Sequence, residues 1–228
     1  MRPVERGPAP RAYAQYRDAI GDLEVRLGIY CSYCERRLPV SLAVEHVVPK
    51  VLHRELETEW TNFLLSCTNC NSVKGDQAVE LENFLWPDRD NTFLAFKYSN
   101  GGFVHLADDM SAEQQAQAQA LLNLVGLQRH QARGWVNPAP RDKRWQQREE
   151  IWATAERSLE LFEKLGGVNE AKEQVIIAAH GYGFFSVWMT VFEGYPEVKQ
   201  DLILVFTGTA PTCFDPDGKP LNRPSGAI

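Results

Sequence analysis

An α+β fold is predicted by three features of this 228-residue chain. Two close cysteine pairs, Cys31-x-x-Cys34 and Cys67-x-x-Cys70, bracket one short stretch. Between them lie β-prone runs (Leu42, Ala43, Val44, then Val47 and Val48) and polar turns, the pattern of a short hairpin and helix built around a metal. Beyond residue 110 apolar residues recur at helical spacing. The expected organisation is an N-terminal helix with a metal-stapled module over 1–110, then a mainly helical region over 111–228.

Each element follows from its own pattern. Tyr13, Tyr16, Ile20, Leu23 and Leu27 form one face of an amphipathic helix ending near Gly28. Residues 76–110 read as an irregular connection holding a strand or hairpin, because Asn91 to Tyr98 is apolar-rich and SNGG (99–102) signals a turn before FVHL. Ser111 with Gln114 fits a capping box for a helix reaching about Leu127. Trp152, Ala155, Leu159, Phe162 and Leu165 give a second helical face, stopped by Gly166 and Gly167. Asn169 is placed to cap a third helix, and Pro196 to open a fourth ending near Thr207.

Composition excludes some classes. A content of 44% hydrophobic residues supports a buried core and excludes a disordered chain. The first twenty residues hold no apolar run, so no secretory signal is expected, and paired cysteines suit metal binding in a reducing cytoplasm. Val175 to Phe192 is uncharged over about the length of a membrane span. His180, Gly181 and Gly183 interrupt it, and it reads as a buried helix that breaks at GYG and continues, with no membrane partner. A net charge of −6 argues against a generally basic surface for nucleic acid. Residues 26–75 are nearly balanced, however, with six Lys and Arg against five Glu, so a locally basic cleft is compatible.

Four thiolates are the complement of a closed, tetrahedral structural zinc site. The 32 residues between the pairs exceed the ordinary ribbon spacing of about 15 to 20, so something is housed within the finger. That cargo is Glu45-His46, and Cys70-Asn71-Ser72-Val73-Lys74-Gly75 follows the second pair. Carboxylate and amide oxygens suit Mg²⁺ or Mn²⁺, and an imidazole near neutral pH can take a proton from water. Together these groups could hydrolyse a phosphodiester. An isolated Glu-His pair is ordinarily surface decoration; its bracketing by the cysteine pairs and Pro49-Lys50 favours chemistry.

The run Cys-x-x-Cys, Glu45-His46-Val-Val-Pro49-Lys50, Trp60-x-Asn62-Phe63-Leu64, Cys-x-x-Cys70-Asn71 and Lys74-Gly75 resembles the HNH nuclease family, in the subgroup whose ββα-metal core is stapled by a four-cysteine zinc site. The resemblance covers about a fifth of the chain. It implies that His46 is the general base, that Glu45 and Asn71 hold the catalytic cation, and that Asn62 holds the ββα loop and so orients the base. Lys74 falls at an often basic position, suited to offsetting phosphate charge. Glu45 replaces the commoner Asp, which bears on the choice of metal. The opening RPVERGPAP and the tail GTAPTCFD resemble the HNH component of bacterial Septu-type anti-phage systems, which works beside an ATPase.

The implied activity is metal-dependent hydrolysis of DNA, leaving a 5′ phosphate. RNA is an open alternative, and the rival class is a non-catalytic zinc-ribbon binding module. Lys50 is a secondary candidate for phosphate contact. His53, His105 and His130 are expected in structural or surface roles, His180 in the core, Cys213 as a buried thiol, and Asp88 and Asp90 as turn residues.

Overall fold

The structure, a computed structural model, describes residues 1–228. Its centre is an antiparallel hairpin of β1 (Leu42–His46) and β2 (Phe63–Cys67), in register from Leu42 opposite Cys67 to His46 opposite Phe63. Every β2 residue is buried, so its run FLLSC shows no alternation. The chain passes directly from β2 into α2 (Thr68–Lys74), with the Cys67 sulfur accepting from the Cys70 amide at 3.4 Å as the helix cap. This is the ββα arrangement that the sequence implies.

Before it, α1 spans Ile20–Leu27 and ends at Gly28 as expected, but it starts later than the periodicity suggests. Tyr16–Ala19 is a 3₁₀ turn, and Tyr13 lies outside the helix. Tertiary contacts override the pattern there: Tyr13 stacks on Trp60 at 5.9 Å and donates to Asp22 at 3.0 Å.

The 76–110 connection holds the expected hairpin, β3 (Phe96–Ser99) with β4 (Phe103–Leu106), turning through Asn100 to Gly102. Its apolar prelude is a single helical turn, α3 (Thr92–Ala95), instead of strand. Asn91 decides this. Its side-chain oxygen caps the turn from the Phe93 amide, while its amide nitrogen donates to the carbonyls of Cys213 and Leu221 in the tail.

Five helices follow. The capping box at Ser111 and Gln114 is fully formed at the start of α4 (Ala112–Val125). Then come α5 (Arg144–Lys164), α6 (Asn169–Tyr182), α7 (Phe185–Val191) and α8 (Pro196–Val205). Val168, not Asn169, is the N-cap residue of α6. No helix is long and apolar enough to cross a membrane. The uncharged run breaks at Gly183 as expected, though its first half is only one-sided: His180 is exposed on the outer face of α6, not in the core.

The helical region closes onto the cysteine module, and one apolar core runs through both sides of the 110/111 division. Glu35, next to Cys34, is fully buried; its carboxylate accepts from the Ser186 hydroxyl at 2.6 Å and the Ser186 amide at 2.9 Å, at the start of α7. Its carbonyl accepts from the Phe184 amide at 2.9 Å. Gly183 makes this approach possible. It has φ +80°, and a Cβ there would stand 2.7 Å from the Glu35 carbonyl oxygen and the Arg37 amide nitrogen. Arg144, at the start of α5, donates to the carbonyls of Val125 and Gly126, pairs with Asp142 at 2.6 Å, and points its Nη1 at the Cys70 sulfur at 3.1 Å.

Gly183→Ala is expected to destabilise the protein by at least about 1–2 kcal/mol, the cost of forcing an L-residue into the left-handed region, before any steric cost is added. A lowered urea midpoint with an unchanged slope checks this.

Candidate active site and zinc centre

Two backbone facts bring the four cysteines together: β2 runs directly into α2, and the Cys31–Cys34 loop packs against β2, where the Ser32 amide donates to the Leu65 carbonyl at 2.8 Å. All four sulfurs are buried and lie within 4.8 Å of one another, and Cys34 to Cys67 measures 3.6 Å. None is in a disulfide. Zinc–sulfur bonds of about 2.3 Å in a tetrahedron require sulfur separations of roughly 3.8 Å, so this cluster suits a structural zinc. Its outer contacts are those of a thiolate knot. The Cys67 amide donates to the Cys31 sulfur at 3.3 Å, and hydrogen bonds from neighbouring thiols, Cys31 first, hold the Cys67 pKa far below its ordinary value.

Two guanidiniums face this knot. Burial alone would lower the pKa of Arg36, but the Cys34 and Cys67 thiolates beside it outweigh burial and raise it. Arg144 behaves alike, with burial opposed by its bond to Asp142 and by the Cys70 charge. Four thiolates with Zn²⁺ would carry a net charge of −2, which Arg36 and Arg144 offset in part, the Arg144 charge being shared with Asp142. The sequence alone does not single out Arg36, Arg144 or Glu35. Only the position of Glu35 and Arg36 directly after Cys34 hints at their role.

Strand alternation sends Glu45 and His46 to opposite faces of the hairpin. Glu45 faces α2. It is 3% exposed, and Lys74 Nζ, equally buried, lies 2.9 Å from its carboxylate. Burial raises the Glu45 pKa, and Lys74 opposes that rise. Asn71 sits three residues before Lys74, on the same helix face, and is half-buried. The structure thus pairs Glu45 with Lys74, and Asn71 lies one helical turn earlier on α2. Glu45 and Asn71 carry hard oxygen donors of the kind Mg²⁺ or Mn²⁺ takes, and in this structure the Glu45 carboxylate is paired to the Lys74 ammonium.

His46 faces the other way, between Tyr16 and Phe63, with ring centroids at 4.9 Å and 5.2 Å, both edge-on. Its Nε2–H donates to the Glu57 carbonyl oxygen at 2.9 Å. A carbonyl can only accept, so this bond assigns the proton to Nε2 and leaves the lone pair on Nδ1. Burial lowers the His46 pKa, keeping the ring neutral at pH 7. The loop that delivers Glu57 is held by Asn62. Its Oδ1 accepts from the Val48 amide at 2.8 Å, and its Nδ2 donates to the Val48 carbonyl at 2.9 Å. Lys74 joins the two faces, because its Nζ also donates to the His46 carbonyl at 2.7 Å.

The other candidates lie elsewhere. His53 is exposed and bonded to Glu55, and His105 is exposed beside Ser99. His130 is buried with both ring nitrogens bonded. Cys213 is buried, which pushes its thiol pKa up to about 11. Asp88 pairs with Arg6, and Asp90 accepts from the amides of Trp86 and Ala227. Tyr16 and Glu57 were not legible as site residues, since one looks like helix face and the other like loop charge.

Comparison with known proteins agrees with this geometry. A 73-residue stretch is 38% identical to the Septu protein PtuB of Bacillus thuringiensis, covering 31% of this chain and 28% of that protein. The match thus spans well under a third of the relative's length. The family model described as HNH endonuclease matches residues 31–77, the interval that holds both cysteine pairs, the hairpin and α2. The likeness to that family is confined to residues 31–77, about a fifth of the chain.

Proposed function

We propose that the protein is a metal-dependent HNH endonuclease that hydrolyses phosphodiester bonds of DNA, acting in bacterial anti-phage defence in the cytoplasm beside an ATPase partner. The observation that carries this reading is the geometry of His46, whose Nε2 is committed to the Glu57 carbonyl so that the lone pair falls on Nδ1, within the segment that matches the HNH endonuclease family. The partial likeness to a Septu protein supports the defence context.

His46 Nδ1 takes a proton from water as the water oxygen attacks phosphorus, and the bond from phosphorus to the 3′ oxygen breaks, leaving a 5′ phosphate. Asn62 is a positioning residue that acts through the 48–57 loop, keeping the Glu57 carbonyl where it fixes the imidazole. Glu45 and Asn71 are the residues that would hold a Mg²⁺ or Mn²⁺ ion, and such an ion would supply positive charge to the phosphate. Lys74 pairs with Glu45 in a dry setting, opposing the burial-driven rise of its pKa, and ties the main chain of His46 to α2. The zinc at Cys31, Cys34, Cys67 and Cys70 builds the scaffold and takes no part in the chemistry.

His46→Ala is expected to lower cleavage of supercoiled plasmid by about 10²–10⁴-fold, with zinc content unchanged. Wild type and variant are compared on plasmid, single-stranded DNA and tRNA with Mg²⁺, Mn²⁺ or EDTA. Full activity in a zinc-replete variant removes His46 from the mechanism, preferential tRNA cleavage moves the substrate to RNA, and binding without any cleavage identifies a ribbon module instead. Glu45→Gln or Asn71→Ala should raise the Mg²⁺ concentration needed for half-maximal cleavage; an unchanged Mg²⁺ titration assigns the cation to other ligands. Cys67→Ser should release zinc and unfold the 31–77 domain, since apparent zinc affinities of about 10–16 kcal/mol exceed the stability of a small domain. Far-UV circular dichroism with a colorimetric zinc assay reads both.

A further inference from the structure

We propose that Arg17 and Lys50, organised by Tyr16, form a phosphate cradle beside His46 that binds the nucleic-acid backbone next to the cleaved phosphodiester; this rests on the nuclease reading above. Gln15, Tyr16, Arg17, Lys50, Glu57 and Thr58 line a cavity of about 330 Å³. Two of its walls belong to the His46 environment already described: the Tyr16 ring lies edge-on to the imidazole at 4.9 Å, and Glu57 supplies the carbonyl that holds Nε2. The cavity therefore opens alongside the base, on the hairpin face opposite Glu45.

The charges in it are arranged around one ring. Lys50 Nζ sits 3.7 Å from the Tyr16 centroid, a close cation–π contact, and the Arg17 guanidinium carbon lies 5.6 Å from the same centroid. Arg17 Nε also donates to the Tyr16 hydroxyl at 3.2 Å. Arg17 is exposed, and no carboxylate pairs with it. Lys50 has one acidic partner, Glu57 at 3.3 Å, in a pair whose side chains remain partly open to solvent. Such a pair holds a cation weakly and can exchange its carboxylate for phosphate. Two cations against one carboxylate leave a positive spot beside the nuclease histidine in a chain whose net charge is −6. Uncleaved phosphates are what such a spot binds, because neutralising them positions the strand without reading its sequence. The residues come from the segment before α1 and from the loop after β1, so the N-terminal segment contributes to the substrate site.

The test separates binding from cleavage by using full-length His46→Ala protein, without added divalent cation, and a labelled oligonucleotide in single- and double-stranded form across a salt series. Arg17→Gln and Lys50→Gln should each flatten the dependence of log K on log salt by about 0.9 on duplex or about 0.7 on single strands, and should act together in the double variant. Glu57→Gln should tighten binding, as it frees Lys50 while keeping the main-chain carbonyl. Tyr16→Ala should reproduce the loss at Lys50, and Tyr16→Phe, which keeps the ring, should restore it. Unchanged slopes in the double variant overturn the cradle, even where wild type cuts DNA as proposed. Flattened slopes in the double variant support the cradle, even where wild type cuts nothing and the nuclease reading fails.

Discussion

Four thiolates confined within 4.8 Å of one another in a buried place set the main constraint on this molecule. With all four sulfurs ionised and no cation the arrangement would be electrostatically prohibitive, because like charges in a poorly solvated interior repel strongly. A zinc ion would remove most of that cost, and Arg36 and Arg144 lie where they offset part of what is left. The position of α5 follows from this balance. Arg144 can face Cys70 only if the first turn of α5 lies on the knot, and the same guanidinium then takes up the carbonyls of Val125 and Gly126 at the end of α4. A helix C-terminus that would leave orphan acceptors is thus satisfied by a residue whose charge the zinc site needs.

The same economy appears on the other side of the knot. Glu35 is buried next to Cys34, and a buried carboxylate is tolerable only when its oxygens are bonded. Ser186 supplies an amide and a hydroxyl, which requires the start of α7 to lie against the cysteine loop, which in turn requires a glycine at 183. The helical region therefore supplies partners to the buried groups of the ββα motif and its cysteine loop. The zinc centre, α5 and α7 are one packing problem with one solution.

Much of this was legible in the sequence, for identifiable reasons. The cysteine spacing, the Ser111 capping box, the SNGG turn and the Gly183 break are local signals whose chemistry acts within a few residues, and each appears in the structure as read. What could not be read depends on distant partners. Asn91 turns an apolar prelude into a helical turn because it is bonded to Cys213 and Leu221, and Tyr13 leaves its helix because Trp60 offers a stacking surface. Arg144 looks like one more charge on an amphipathic helix until Cys70 is placed 3.1 Å away. Separations of this size leave no periodicity to detect. The candidate site divides along the same line: His46, Glu45, Asn62, Asn71 and Lys74 were each named from motif order, whereas Tyr16 and Glu57 were not.

Placing Glu45 and His46 on opposite faces of one strand has a physical consequence for the proposed chemistry. Had both side chains shared a face, the carboxylate would have raised the imidazole pKa and drawn a proton onto the group that must stay free to accept one. Alternation along β1 keeps them apart, so burial and not the neighbouring carboxylate dominates the state of His46. Coordination between the two faces passes instead through the backbone: Lys74 grips the Glu45 carboxylate and the His46 carbonyl together, while Asn62 fixes the loop that grips the ring. Lys74 thereby couples the two faces through the main chain. Any slip of the hairpin by one residue would exchange the two faces and part both side chains from these partners. The thiolate knot at Cys67, directly at the end of β2, pins that register.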